Sequence, residues 1–172
     1  NNGKLYGLAY SGGTNSMGTL FEYDYVSNVF TKKIDFDGTA KGSYPQGTLM
    51  QAANNKLYGT TATGGLNNFG VMFEYDITTG ICIKKIDFSG TANGKYPFGN
   101  MMQATNGKLY GMTSQGGTGN KGVVFEYDLT SDVYTKKVDF TGTANGSSPY
   151  GSLMQSSNAK LYGMTSAGGI NN

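Results

Sequence analysis

The sequence predicts an all-β fold of β-propeller blades, each a four-stranded antiparallel meander, and three observations carry that expectation. Lys-Leu-Tyr-Gly starts at Lys4, Lys56, Lys108 and Lys160, always 52 residues apart, and a fixed period of that length marks one structural unit copied in tandem. Each unit contains four short apolar or alternating runs divided by turn residues, the pattern of a propeller blade. Composition agrees, since 28 Gly and 13 Tyr against 3 Pro and no Trp favour short strands and tight turns over helices. A solenoid of the same units is the architectural alternative.

The whole chain, 1–172, reads as a single repeat array with units 4–55, 56–107 and 108–159 and a partial unit 160–172. The complete units share 24 of 52 positions, so the shared residues are assigned to the scaffold and function is sought among the others. Within a unit, the first run, Phe98 to Thr105, meets Asn106-Gly107, a hairpin signal in which both turn residues take positive φ. The second run, Lys108 to Ser114, ends at Gly116-Gly117, and a polar loop to Lys121 leads into the third, Gly122 to Asp128. A Thr-Ser-Asp turn precedes the fourth run, Val133 to Phe140.

With Ser131 and Asp132 as the central turn residues, Glu126 faces Lys137, Glu74 faces Lys85 and Glu22 faces Lys33, each an attractive cross-strand pair. The same register sets Phe125, Phe73 and Phe21 against Val138, Ile86 and Ile34. Lysine pairs on the last strand suit an outer edge. Gly-Thr-Ala-x-Gly, followed by Pro45, Pro97 or Pro149, links one unit to the next. Aligned in this way, the chain holds strands two to four of one blade, two whole blades, and strands one and two of another. Rings close with about four to eight blades, so further repeats or several copies are expected to complete one. The chain is accordingly expected to be a fragment, or the visible part, of a longer protein.

The pattern Gly-Lys-Leu-Tyr-Gly, Gly-Gly, Phe-Glu-Tyr-Asp is similar to a kelch blade. It departs from kelch where Phe30, Cys82 and Tyr134 replace the outer-strand Trp. Leu-Tyr-Gly-Thr-Thr with Gly64-Gly65, Gly70-Val71, Phe73, Asp87-Phe88, Gly90 and Pro97 more closely resembles the GloVer-type tandem repeat of bacterial surface and secreted proteins. The resemblance covers the whole chain. It implies a secreted or cell-surface bacterial setting and carries no defined activity and no catalytic residues.

Several functions are disfavoured by the residues themselves. Thirteen basic and 11 acidic side chains spread evenly give a net charge of +2, without the basic stripe that tracks a phosphate backbone, so no nucleic acid partner is expected. No apolar run reaches the roughly 18 to 20 residues of a membrane helix, and no membrane insertion is expected. The absence of His removes Ser-His-Asp and Cys-His arrangements and His metal sites from this stretch. Cys82, in the slot of Phe30 and Tyr134, reads as a small buried hydrophobe. Gly117 to Gly122 fits G-x-G-x-x-G, but a strand follows where a helix is required, and no cofactor is expected.

Acidic clusters repeat in every unit (Glu22, Asp24, Asp35; Glu74, Asp76, Asp87; Glu126, Asp128, Asp139) and are therefore assigned to structure, with Asp24, Asp76 and Asp128 capping turns. Asp35-Phe-Asp37-Gly38 faintly matches a calcium loop, but Ser89 and Thr141 replace Asp37 elsewhere. Tyr6, Tyr58, Tyr110 and Tyr162 are expected to pack between blades with their hydroxyls hydrogen-bonded. The Gly-Gly pairs are expected to serve backbone geometry.

Function is expected where the units differ. Those places are the loops between second and third strands (14–17, 66–69, 118–121) and the links between units, which in a meander of this order share one face. Their exposed aromatic and amide residues suit sugars or peptides. The ligand-binding candidates are Tyr44, Gln46, Asn67, Asn68, Phe69, Tyr96, Phe98 and Tyr150. The expected function is a non-enzymatic extracellular or cell-surface module for adhesion, display or scaffolding. A carbohydrate- or peptide-binding propeller is the alternative, and a propeller glycosidase or lyase with catalytic residues outside this stretch comes last. Expected partners are other repeats or further copies that close the ring, and a glycan or surface protein.

Overall fold

The computed structural model describes residues 3–170, and the ladders among them fall into four antiparallel sheets. The first holds β1 (Lys4–Ala9), β2 (Thr19–Asp24) and β3 (Val29–Asp35) in chain order. The second holds β4 (Met50–Gln51), β5 (Leu57–Thr60), β6 (Val71–Tyr75) and β7 (Cys82–Asp87). The third repeats it with β8 (Met102–Gln103), β9 (Leu109–Thr113), β10 (Val123–Asp128) and β11 (Val133–Asp139), and the fourth pairs β12 (Met154–Gln155) with β13 (Leu161–Tyr162). The fold is all-β, and consecutive strands are neighbours in every sheet, as the repeat predicts.

The first strand is much shorter than the expected run from Phe98 to Thr105. Only Met102 and Gln103 join the ladder, facing Tyr110 and Leu109. The preceding backbone bonds across to the next blade: the Thr48 amide donates to Asn100 Oδ1 at 2.7 Å and the Asn100 amide to Ser152 Oγ at 3.0 Å. Backbone donors must find acceptors somewhere, and here the neighbouring unit supplies them. The following hairpin is a three-residue loop. Gly107 N donates to Ala104 O and Ala104 N to Lys108 O, both at 2.9 Å, and Gly107 takes φ 80°. This is a type I turn closed by a left-handed residue, so only Gly107, and not Asn106, needs positive φ.

The expected facing of Glu126 with Lys137 is corrected. Asp128 pairs with Val133, so four residues form the loop, and Glu126 faces Thr135 and Phe125 faces Lys136. The same holds for Glu22 with Thr31 and for Glu74 with Ile83. A bulge between Val124 and Phe125, repeated between Leu20 and Phe21 and between Met72 and Phe73, then moves the register by one. Lys33, Lys85 and Lys137 are the extra residues of these bulges. Lys33 and Lys137 still reach Glu22 and Glu126 at 3.8 and 3.7 Å, while Lys85 pairs with Asp132 of the next blade at 2.5 Å.

The core lies between blades. One cluster joins Leu20 and Phe36 of the first unit to Leu57, Phe73 and Tyr75 of the second. The other joins Tyr58, Met72 and Phe88 to Met101, Leu109, Phe125 and Tyr127. Each blade therefore presents a front set of residues to its predecessor and a back set to its successor. Phe36 meets Phe73 edge-on at 5.3 Å and Phe88 meets Phe125 at 5.7 Å, repeating one aromatic contact per interface.

Candidate functional site: an aromatic row on the loop face

The loops and the links between units share one face, as the meander requires. The amides of Tyr44, Tyr96 and Ser148 donate to Met17 O, Phe69 O and Lys121 O at 2.8, 2.9 and 2.8 Å. Their carbonyls accept from Ala62, Ser114 and Ser166 of the next blade at 3.1, 3.0 and 3.2 Å. Held from both sides, these three residues adopt φ of 55°, 57° and 52°. A left-handed conformation costs a side-chain-bearing residue about 1–2 kcal/mol, yet tyrosine fills the position in two of three units.

Phe69, Tyr96, Phe98 and Tyr150 come together in one row. Tyr96 stacks on Phe98 at 6.3 Å and Phe98 on Tyr150 at 5.5 Å, with interplanar angles of 20° and 23°. Phe69 meets Tyr96 edge-on at 5.8 Å. Lys95 Nζ sits 5.2 Å from the Phe69 ring centre and 5.5 Å from that of Tyr96, in cation–π range. The row ends at Tyr150, whose side is half exposed to solvent.

The other candidates are placed differently. Tyr44 packs on Tyr10 at 5.2 Å, and exposed Gln46 holds in its unit the place of Phe98 and Tyr150. Asn67 and Asn68 serve the loop itself: Asn67 Nδ2 donates to Phe88 O at 3.4 Å and Asn68 Oδ1 accepts from the Gly64 amide at 2.9 Å. Sequence reasoning missed Lys95 and Tyr10. Lys95 stands in a slot that Ser43 and Ser147 fill elsewhere, a difference between units that pointed to it. In the next link Lys121 and Ser148 replace Phe69 and Tyr96, and a groove of about 370 Å³ opens there, lined also by Thr141, Thr143 and Ser147.

All 11 carboxylates of the sequence are engaged in building the blades. Glu22, Glu74 and Glu126 each accept from the Lys and the Tyr of the preceding Lys-Leu-Tyr-Gly, at 2.5 to 2.9 Å. The Lys4 ammonium and Tyr6 hydroxyl hold the Glu22 carboxyl below its usual range, and Tyr110 and Lys108 do the same for Glu126. At Glu74 burial pushes upward, but Lys56 and Tyr58 outweigh it. Asp24, Asp76 and Asp128 accept two turn amides each, as expected of caps. Asp35, Asp87 and Asp139 accept from the loop amides of Thr14, Leu66 and Thr118 and pair with Lys32, Lys84 and Lys136. Asp37 binds the Ala40 and Lys41 amides and the Lys41 side chain. Asp132 accepts from Tyr127 and Lys85. Burial pushes the Cys82 thiol up to about 11, so it stays protonated at neutral pH. No helix among the described residues is long and apolar enough to cross a membrane.

Four-stranded meanders stacked face to face, with loops and links gathered at one end, define a tandem array of β-propeller blades. The chain belongs to the Gloeobacter/Verrucomicrobia repeat family, whose pattern matches residues 1–172. No curated protein matches it. Its fold is similar to that of TolB from Acinetobacter baumannii, with a TM-score of 0.58 and 12% identity over 95% of this chain and 36% of that one. A putative 6-phosphogluconolactonase from Bacteroides uniformis gives 0.57 and 15% over 96% of this chain and 48% of that one. The periplasmic gluconolactonase PpgL from Pseudomonas aeruginosa gives 0.54 and 13% over 92% and 46%. These are β-propeller proteins. The chain spans between about a third and half of their length, and the likeness is one of fold.

Proposed function

We propose that this array is a non-enzymatic recognition and scaffolding module of a secreted or cell-surface bacterial protein, and that it engages glycans through the aromatic row of its loop face. The observation that carries the reading is Tyr96, a tyrosine held at φ 57° and stacked into a row that ends on half-exposed Tyr150. Glycine would fill that backbone position without strain, yet two of the three units place a tyrosine ring there and the third places Ser148. Aromatic faces and edges offer a sugar apolar C–H contact, and Gln46 and Lys95 offer polar groups at the same surface. The non-enzymatic part rests on the carboxylates, all of which are held in scaffold contacts, and on the lack of His. Saturable binding on a glycan array, lost on Tyr150→Ala and Phe98→Ala with an unchanged far-ultraviolet spectrum, is the expected result. Binding that survives both changes, or none to any glycan, sinks the reading. Binding to extended peptides instead would redirect it to the same surface with a different ligand.

A further inference from the structure

The lysines of the array are matched almost one by one. Of the thirteen, ten lie 2.5 to 3.8 Å from a carboxylate oxygen. Lys160 stands in the slot from which Lys4, Lys56 and Lys108 reach a glutamate 18 residues on, a position outside this sequence. The two that remain are Lys95 and Lys121, both on the loop face, and neither is ion-paired among the described residues. The repeat does not require either charge. Ser43 and Ser147 fill the slot of Lys95, and Met17 and Phe69 fill that of Lys121. The acids of the same surface are taken: Asp37 pairs with Lys41, and Asp139, which accepts from the Thr118 amide of the Lys121 loop, pairs with Lys136 at 2.8 Å.

These two lysines bracket the aromatic row. At its start Lys95 Nζ lies over Phe69 and Tyr96, while the Lys95 backbone is bonded to Gln115 at 2.9 and 3.2 Å, which fixes the stem and leaves the ammonium its three donors. At the far end Lys121 O accepts from the Ser148 amide, two residues before Tyr150, and Lys121 lines the groove of about 370 Å³ together with Thr143 and Ser148. Between them Phe98 stacks on Tyr96 and Tyr150. Sugar rings laid along the row would meet a cation at each end, with hydroxyls beside the second. Unpaired ammonium groups on a surface that otherwise neutralises every lysine are complementary to a ligand that carries negative charge. We infer that the glycan engaged by the row is acidic, a polysaccharide bearing carboxylate or sulfate groups, with Lys95 and Lys121 reading its charge; the inference rests on the glycan reading above and adds the ligand class.

The test is titration calorimetry of the 172-residue chain with matched pairs of polysaccharides: polygalacturonate against its methyl ester, and dextran sulfate against dextran. A single-stranded DNA oligonucleotide serves as an unrelated polyanion. At least one acidic form is expected to bind more tightly than its neutral partner, and the pair that shows the difference tells carboxylate from sulfate. Lys95→Gln and Lys121→Gln should each weaken that binding about tenfold, the worth of one charge-assisted hydrogen bond, with unchanged far-ultraviolet circular dichroism. Lys41→Gln removes a charge that Asp37 already matches and should leave the affinity as it was. Neutral forms that bind as tightly as acidic ones overturn the inference and leave the glycan reading standing, whereas no binding to any of the four polysaccharides removes both. DNA held as tightly as the acidic glycan, or a loss at Lys41→Gln equal to that at Lys95→Gln, reduces the effect to general attraction of polyanions and also overturns it.

Discussion

The hydroxyl of Tyr58 and the carboxylate of Glu74 lie 2.7 Å apart, with Lys56 Nζ on the other carboxylate oxygen and Asn54 Nδ2 on the phenol. The arrangement recurs with Asn106, Lys108, Tyr110 and Glu126. Two residues of one hairpin, the Lys and the Tyr, thereby converge on a single acid of the adjacent strand while the Asn braces the phenol, and Glu74 and Glu126 are buried.

Acid should therefore weaken the fold through these glutamates. Their folded-state values are depressed, so the stability they contribute is present above the unfolded value of about 4.3 and is lost as pH falls through the folded value. Glu126→Gln should flatten this acid limb. It should also cost about 1.5–3 kcal/mol at neutral pH, because Lys108 and Tyr110 lose a charged acceptor. Urea unfolding at pH 7 and pH 3 checks both expectations; a variant whose pH profile parallels wild type refutes them.

The Gly-Gly pairs should rank by what surrounds them. Gly64 and Gly65 take φ of 84° and 77°. A Cβ on Gly64 would strike the backbone of Gly38 and Gly42 in the preceding link, and one on Gly65 would strike the Asp87 carboxylate and Val71. Gly107, inside the array, has equally positive φ but open space around it. Gly107→Ala should cost only the backbone strain of about 1–2 kcal/mol. Gly64→Ala and Gly65→Val should cost visibly more, since a steric clash is added. Thermal melts that put all three together would remove the interblade role assigned to Gly64.

Ala159 occupies the turn position of Gly107 and Gly3 at φ 63°. Ala159→Gly should stabilise by about 1 kcal/mol, and Gly107→Ala, with nothing near its Cβ, should destabilise by a similar amount. Chemical denaturation midpoints moving in opposite directions are the expected signature, and movement in the same direction would contradict the turn assignment.

Tyr75 has a fully buried hydroxyl without a hydrogen-bond partner among the described residues, and burial pushes it up to about 12. Its counterparts Tyr23 and Tyr127 donate to Asn28 and Asp132, but the equivalent residue here is Gly80, at φ 73° and 4.0 Å from the hydroxyl through its would-be Cβ. Gly80→Asn should supply the acceptor in a conformation Asn tolerates and stabilise by about 0.5–1.5 kcal/mol. Tyr75→Phe should be nearly neutral where Tyr127→Phe is costly, since the buried Tyr127 donates to Asp132; a large loss at Tyr75 would mean that its hydroxyl has a partner such as an ordered water.

The period of Lys-Leu-Tyr-Gly and the alternation of its runs made the blades legible from residues alone, down to the three- and two-stranded sheets at the ends. The register of β2 with β3 and of β10 with β11 was not. Opposite charges at Glu126 and Lys137 suggested direct facing, but the bulge at Val124 and Phe125 leaves no trace in residue types, and the true partner, Lys108, lies on the other side of the strand. The aromatic row was half legible: Phe69, Tyr96, Phe98 and Tyr150 stood out by differing between units. Asn68 stood out equally and turned out to brace Gly64, because a variable loop residue and a loop-bracing residue look alike in one sequence.

The bonds that join blades span fixed intervals of chain. Thr48 to Asn100 and Asn100 to Ser152 are 52 residues apart, and Ala53 to Gln103 and Thr105 to Gln155 are 50. Because every such bond reaches one unit and no farther, the array can gain or lose length only in whole periods. Excision of residues 56–107 would bring Lys108 to the place of Lys56 and hand each orphaned donor an equivalent acceptor, Ser152 for Thr48 and Gln155 for Ala53. A cut of any other length would set Gly-Gly against a strand and Pro against a hairpin, and would strand the donors on both sides of the joint.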